Sequence, residues 1–238
     1  MDRRAFVEHC AAAASCLPAP AVSLFCSTSF AAQARSRPYA RTLLVDEQGH
    51  PLRASSLKTQ TNYVFHYPFE ATPVFLLDLG KTAQPQKLKT RAAADYAWPG
   101  GVGKGKSVVA FSAICAHHLV YPTPQVSFIS FRKTKAQKGL DDNLIHCCAD
   151  HSQYDPAKGA QVLSGPAEQP LCAVLLDHDA KADTLTAYAT LGGELFEAFF
   201  AKYEFKLSLD VGPGAKRAVV GKATVRELDK FCRNAIQC

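Results

Sequence analysis

The chain has 238 residues, of which 47% are hydrophobic and 20% charged, a globular composition that excludes a disordered or fibrous protein. Lysine and arginine total 27 against 21 aspartates and glutamates, for a net charge of +6. That mild surplus suits an acidic partner, but no dense basic cluster interleaved with aromatics points to nucleic acid. The nine cysteines, at 10, 16, 26, 115, 147, 148, 172, 232 and 238, are spread too unevenly for a disulfide scaffold.

Residues 1–34 read as an export address. Arg3 and Arg4 are followed by Phe6 and Val7, no charged residue occurs from Cys10 to Ala34, and the stretch ends on small residues around Ala32-Gln33-Ala34. The arginine pair resembles the twin-arginine signal of bacteria, so the expected location is the bacterial periplasm, with cleavage after Ala34. A retained inner-membrane anchor is the competitor. The length would suffice for a bilayer, but Pro18, Pro20 and the interspersed Ser, Thr and Gln residues make it a poor span. Removal of the segment takes two acidic and two basic residues and leaves the charge balance unchanged.

Residues 35–60 begin polar and basic and read as a tether. Beyond them lie short β-rich runs bounded by Pro and Gly: Asn62–Tyr67, Pro73–Leu79, Ser107–Ile114, Gln125–Phe131, Asn143–Cys147, Leu171–Asp177 and Thr184–Tyr188. Trp98–Gly105 is a turn-rich loop. Helical spacing appears at Leu195, Phe196, Phe199 and Phe200, and again over Val225–Ala235. Short, frequent strands predict an all-β antiparallel sandwich or barrel with a short helical C-terminal extension over 191–238.

Two segments carry chemistry. Cys115-Ala-His117-His118 follows an apolar strand, and Cys147-Cys148-Ala-Asp-His151-Ser152-Gln-Tyr154-Asp155 follows another. Each turn offers a sulfur and an imidazole nitrogen. Two thiolates and two histidines can close a tetrahedral zinc site or divide between the irons of a [2Fe–2S] cluster, and composition leaves both open.

The flanking residues resemble a Rieske iron–sulfur protein over residues 61–190. Cys115-Ala-His117, Cys148-Ala-Asp-His151, Tyr154-Asp155, Gly159 and Gly165-Pro-Ala-Glu-Gln-Pro170-Leu171 match that family's two cluster loops, its Gly hairpin and its Pro loop. The resemblance implies a Rieske-type sandwich and a [2Fe–2S] cluster held by Cys115, His117, Cys148 and His151, with Ser152 and Tyr154 as the cluster-tuning pair. Three departures accompany it. The two cysteines that bridge the loops in many respiratory members are replaced by Val120 and Asp150, residues 118–147 form a longer insertion, and one residue is missing between His151 and Ser152.

The remaining candidates have plainer readings. His118 reads as a solvent or outer residue, Cys147 as a free thiol or strand residue, and Cys172 as core. Cys232 and Cys238 suit a short C-terminal disulfide in an exported protein. The basic run Arg132–Lys138 is a solvated loop or a steering patch for an acidic partner. The resemblance implies an electron-transfer subunit, not a catalyst on its own, in a respiratory or periplasmic oxidoreductase of the quinol–cytochrome c reductase type. Its partners would be a cytochrome or a larger catalytic subunit, with quinol as a further candidate and membrane association through the N-terminus. The alternatives are the small subunit of an arsenite oxidase-like molybdenum enzyme and, from another class, a zinc-stabilised binding module. A terminal-oxygenase arrangement is not expected, because the chain beyond residue 190 is too short for a mononuclear-iron domain.

Overall fold

The computed structural model describes residues 34–133 and 143–238, so residues 1–33 of the stretch read above as an export address and most of the basic run lie outside the described residues. Among the described residues fourteen strands run β1 (Arg37–Val45), β2 (Tyr63–His66), β3 (Pro73–Asp78), β4 (Gln86–Lys89), β5 (Asp95–Trp98), β6 (Val108–Ser112), β7 (Ile129–Arg132), β8 (Leu144–Cys147), β9 (Gln153–Asp155), β10 (Gln161–Ser164), β11 (Ala173–Asp179), β12 (Thr184–Leu191), β13 (Gly221–Thr224) and β14 (Arg226–Glu227). The described residues also form α1 (Phe196–Asp210) and the single turn α2 (Leu228–Phe231), both in the C-terminal part. The fold is all-β with a short helical addition. Among the described residues no helix is long and apolar enough to cross a membrane.

One sheet has eight strands in the order β13-β1-β12-β11-β6-β3-β2-β14, a second has four in the order β10-β9-β8-β7, and β4 pairs with β5. The large sheet is apolar on both faces because its central strands are continuous hydrophobic runs. Phe75, Leu77, Val109 and Phe111 enter one core. Their neighbours Val74, Leu76, Val108 and Ala110 enter the other, as the two-residue period of a strand requires. The first core is closed by Trp98 from the β4–β5 hairpin and by Ile129, Ile145, Cys147 and Tyr154 from the four-stranded sheet. The candidate site therefore sits where the small sheet packs on the large one.

Residues 35–60 are not a tether. β1 pairs antiparallel with β12 and parallel with β13, and Leu44 and Thr42 are fully buried. The Thr42 hydroxyl donates to the Val219 carbonyl at 3.1 Å, which lets a polar side chain occupy the core. Arg37 and Arg41 in the exposed first half of β1 disguise it as polar chain. The region 191–238 is likewise more than an appendage, since β13 and β14 complete the large sheet at its two ends.

The helical spacing at 196–200 does become α1, with Phe196, Phe199, Phe200 and Leu207 buried. They pack with Phe69, Leu119 and Tyr121, and the Lys202 ammonium donates to the His118 carbonyl at 2.7 Å. The helix thus buttresses the turn that follows Cys115. The second expected helix, Val225–Ala235, shrinks to α2 because β14 claims Arg226 and Glu227. Beyond α2 the chain runs beside the small sheet, with Ser127 bridging Ala235 and exchanging backbone hydrogen bonds with Asn234 and Ile236.

Candidate metal centre

The first turn leaves β6 through Ala113 and Ile114. The Cys115 N–H donates to the Val120 carbonyl at 2.9 Å and the Leu119 N–H returns to the Cys115 carbonyl at 3.1 Å, closing a tight loop with Leu119 at φ 59°. Cys115 is fully buried at its base. His117 stands at the mouth with its side chain 36% exposed. The His118 ring lies 4.2 Å from that of His117, centroid to centroid, on the exposed side.

The second turn leaves β8. In register with Ile129 on β7, Cys147 points into the core and is fully buried. Its N–H donates to the Ser152 carbonyl at 2.9 Å, which folds the turn back on itself. Ser152 N–H donates to Asp150 Oδ1 at 2.9 Å. Gly165 holds this turn from outside. Its φ is +89°, and a Cβ there would crowd the Ser152 nitrogen and the His151 carbonyl. The Ser152 hydroxyl, also fully buried, accepts from Ala167 N–H at 3.1 Å, so the Gly165–Ala167 segment and the turn are hydrogen-bonded together.

These two turns bring Cys115, Cys147 and Asp150 together, with donor atoms within 4.8 Å of one another. The Cys115 thiol donates to Asp150 Oδ2 at 3.0 Å, and His117 Nδ1 lies 3.2 Å from the same oxygen. The Asp150 side chain is only 1% exposed. Burial alone would raise its carboxyl, but hydrogen bonds from the Cys115 thiol and the Ser152 N–H outweigh it and hold the carboxyl down at about 2. Cys115 is pulled down by the hydrogen bond from Cys147 and by neighbouring donors, and Cys147 is correspondingly pushed up. Tyr154, on β9 and fully buried, places its hydroxyl 3.5 Å from Cys115 Sγ and accepts from Ala116 N–H at 3.2 Å.

The expected set Cys115, His117, Cys148 and His151 is not the set that converges. Cys148 follows Cys147 directly and faces the other way, where it forms a disulfide with Cys238. Arg132 donates to Cys148 Sγ and to the Ile236 carbonyl, the latter at 3.1 Å. His151 is exposed with φ 61°. Cys238 therefore pairs with Cys148 and not with Cys232, which is buried and free. The Cys147 side chain, read from sequence as a free thiol or strand residue, is the one that reaches Cys115. Arg132 is not part of a solvated steering loop, because its guanidinium is bound to the C-terminal segment. Cys172 is buried core, and burial pushes its thiol up.

Asp150 was missed because it was read as a bridging-cysteine position. The signal that points to it is the spacing from Cys147: Cys147-x-x-Asp150 has the same length as Cys148-x-x-His151, one residue earlier.

The four donor groups at the site, two sulfurs, one imidazole and one carboxylate, are chemically suited to iron or zinc. No family model matches the chain. Among solved structures it is similar to the soluble domain of the Rieske protein II (soxF) from Sulfolobus acidocaldarius, at 24% identity and a TM-score of 0.45, over 66% of this chain and 82% of that one.

Proposed function

We propose that the protein is an electron-transfer protein carrying a [2Fe–2S] cluster of Rieske type between the 115–121 and 147–152 turns. The observation that carries this reading is the burial of two cysteine sulfurs and a carboxylate within 4.8 Å, beneath a tyrosine hydroxyl and beside a half-open histidine. A cluster held there would supply one-electron chemistry between a donor and an acceptor protein.

The chain's own residues set the conditions. Ala116 N–H donates to the Tyr154 oxygen, which leaves the Tyr154 proton free to point at Cys115 Sγ and favour added negative charge there. Trp98, Phe111, Ile129 and Ile145 pack in the same core and keep water from the sulfur side. His117, at the rim, gives a partner protein a short approach. The helix α1 holds the 115–121 turn rigid through Leu119 and Tyr121, which limits reorganisation on electron transfer.

The reading extends to an exported subunit of a respiratory or periplasmic oxidoreductase, of the quinol–cytochrome c reductase or the arsenite oxidase-like kind. Support comes from the uncharged segment after Arg3 and Arg4 and from the Cys148–Cys238 disulfide, a bond that persists in oxidising compartments. The test is iron and acid-labile sulfide analysis of the purified protein, with electron paramagnetic resonance of the dithionite-reduced form. Iron and sulfide in equal amounts with a reduced-state signal are expected. Stoichiometric zinc without sulfide would replace this reading by the zinc-stabilised binding module.

A further inference from the structure

We infer that the metal donors of this site are Cys115, His117, Cys147 and Asp150, a set in which a carboxylate stands where the sequence resemblance places a second imidazole. The inference rests on the reading of the site as an iron–sulfur centre, and it changes which residues hold the metal.

Four observations meet here. Successive residues leaving a strand point to opposite faces, so Cys147 and Cys148 cannot both reach Cys115. Cys147 is the inward one, fully buried in the core that contains Cys115. The Cys148 sulfur is bonded to Cys238 and flanked by the Arg132 guanidinium, so it has no valence left for a metal. The Asp150 carboxylate is buried and directed at the centre of the group, within 3.0 Å of Cys115 Sγ and 3.2 Å of His117 Nδ1. His151, the expected imidazole, projects to solvent from a left-handed backbone position.

The same shift removes an anomaly of the sequence. Counted from His151, the turn is one residue short before Ser152 and Tyr154. Counted from Cys147-x-x-Asp150, nothing is missing, and Tyr154 falls where the structure puts it, at the Cys115 sulfur. Geometry and spacing select one register.

The substitution alters the charge at the site. A carboxylate adds one negative charge relative to a neutral imidazole, which disfavours a further electron. The native centre is accordingly harder to reduce than its Asp150→His variant.

The experiment compares the wild-type protein with Cys147→Ser, Cys148→Ser, Asp150→Ala, Asp150→His and His151→Ala. Iron and sulfide are measured, disulfides are mapped by peptide mass spectrometry, and folding is followed by circular dichroism. Cys148→Ser and His151→Ala should retain iron and sulfide, whereas Cys147→Ser and Asp150→Ala should lose them. Asp150→His should retain the cluster with shifted g-values and a raised potential. Disulfide mapping of the iron-loaded wild type should recover Cys148 joined to Cys238, a readout that no folding defect can imitate. Loss of iron in Cys148→Ser and His151→Ala with retention in Cys147→Ser, or an unbridged Cys148 in the loaded protein, would overturn the assignment while leaving the electron-transfer reading in place. Stoichiometric zinc that disappears in Cys147→Ser and Asp150→Ala would uphold the donor set and remove the redox reading. A wild type that binds neither metal overturns both.

Discussion

The Tyr154 hydroxyl is held by the Ala116 N–H at 3.2 Å and lies 3.5 Å from Cys115 Sγ, so a single side chain from β9 reaches both the backbone and the sulfur of the opposite turn. Tyr154→Phe keeps the ring in the core and removes the donor. If the site holds a one-electron centre, its potential should fall by on the order of 50 mV with the cluster still assembled. Protein-film voltammetry measures this, and an unchanged potential would show that the hydroxyl proton is directed elsewhere.

Gly165→Ala tests the packing of the second turn. The residue has φ +89°, and a Cβ would press on the Ser152 and His151 backbone, so the variant should lose about 2 kcal/mol or more. Ser152→Ala leaves the Ala167 N–H without its buried acceptor and should cost about 1–3 kcal/mol. Urea unfolding gives both values. Gly165→Ala should in addition reduce metal content, because the turn it displaces carries Asp150.

Cys238→Ser should lower stability by about 2–5 kcal/mol, since the bond it removes links residues 90 apart in sequence. Unreduced wild type should unfold at higher urea than the variant, and the difference should vanish in a reducing agent.

His66 makes stability depend on pH. Burial, with the charge of Arg226 adding to it, lowers the ring from its ordinary 6.5 to about 4. Between those values the unfolded chain binds the proton and the folded chain resists it. Stability is therefore full above about pH 6.5 and declines as pH falls towards 4, by on the order of 2 kcal/mol once the ring's partial exposure is allowed for. Urea midpoints at pH 7.5 and 4.5 should converge in His66→Phe, and an equal pH dependence in that variant would assign the effect to other groups.

Apolar runs such as Pro73–Asp78 and Val108–Ser112 were legible as strands because every side chain in them is buried or nearly so. The phenylalanine spacing of α1 was legible for the same reason. β1 was not, because Arg37, Arg41 and Thr42 hide a strand whose burial begins only at its second half. At the site, the resemblance brings Cys115, His117 and Tyr154 forward as candidates, and the structure sets Cys115 beside the Tyr154 hydroxyl with His117 at the rim of the same turn. The choice between Cys147 and Cys148 is harder to read, because the spacing that favours Cys147 puts a carboxylate where the resemblance leads one to expect an imidazole. It depends on which of two adjacent cysteines faces inward, and the β7–β8 register fixes that only once the sheet is formed.

The incorporation of β1 into the large sheet limits how far the proposed metal centre can travel. Were residues 35–60 a free chain, they would give a reach of about 28 Å, enough to carry a redox group between a donor and an acceptor. Arg37–Val45 is instead clamped between β12 and β13, and Ala34 N–H already donates to the Asp95 carbonyl at 2.8 Å. No slack remains in that stretch. Partners of the centre proposed here therefore have to come to the His117 rim.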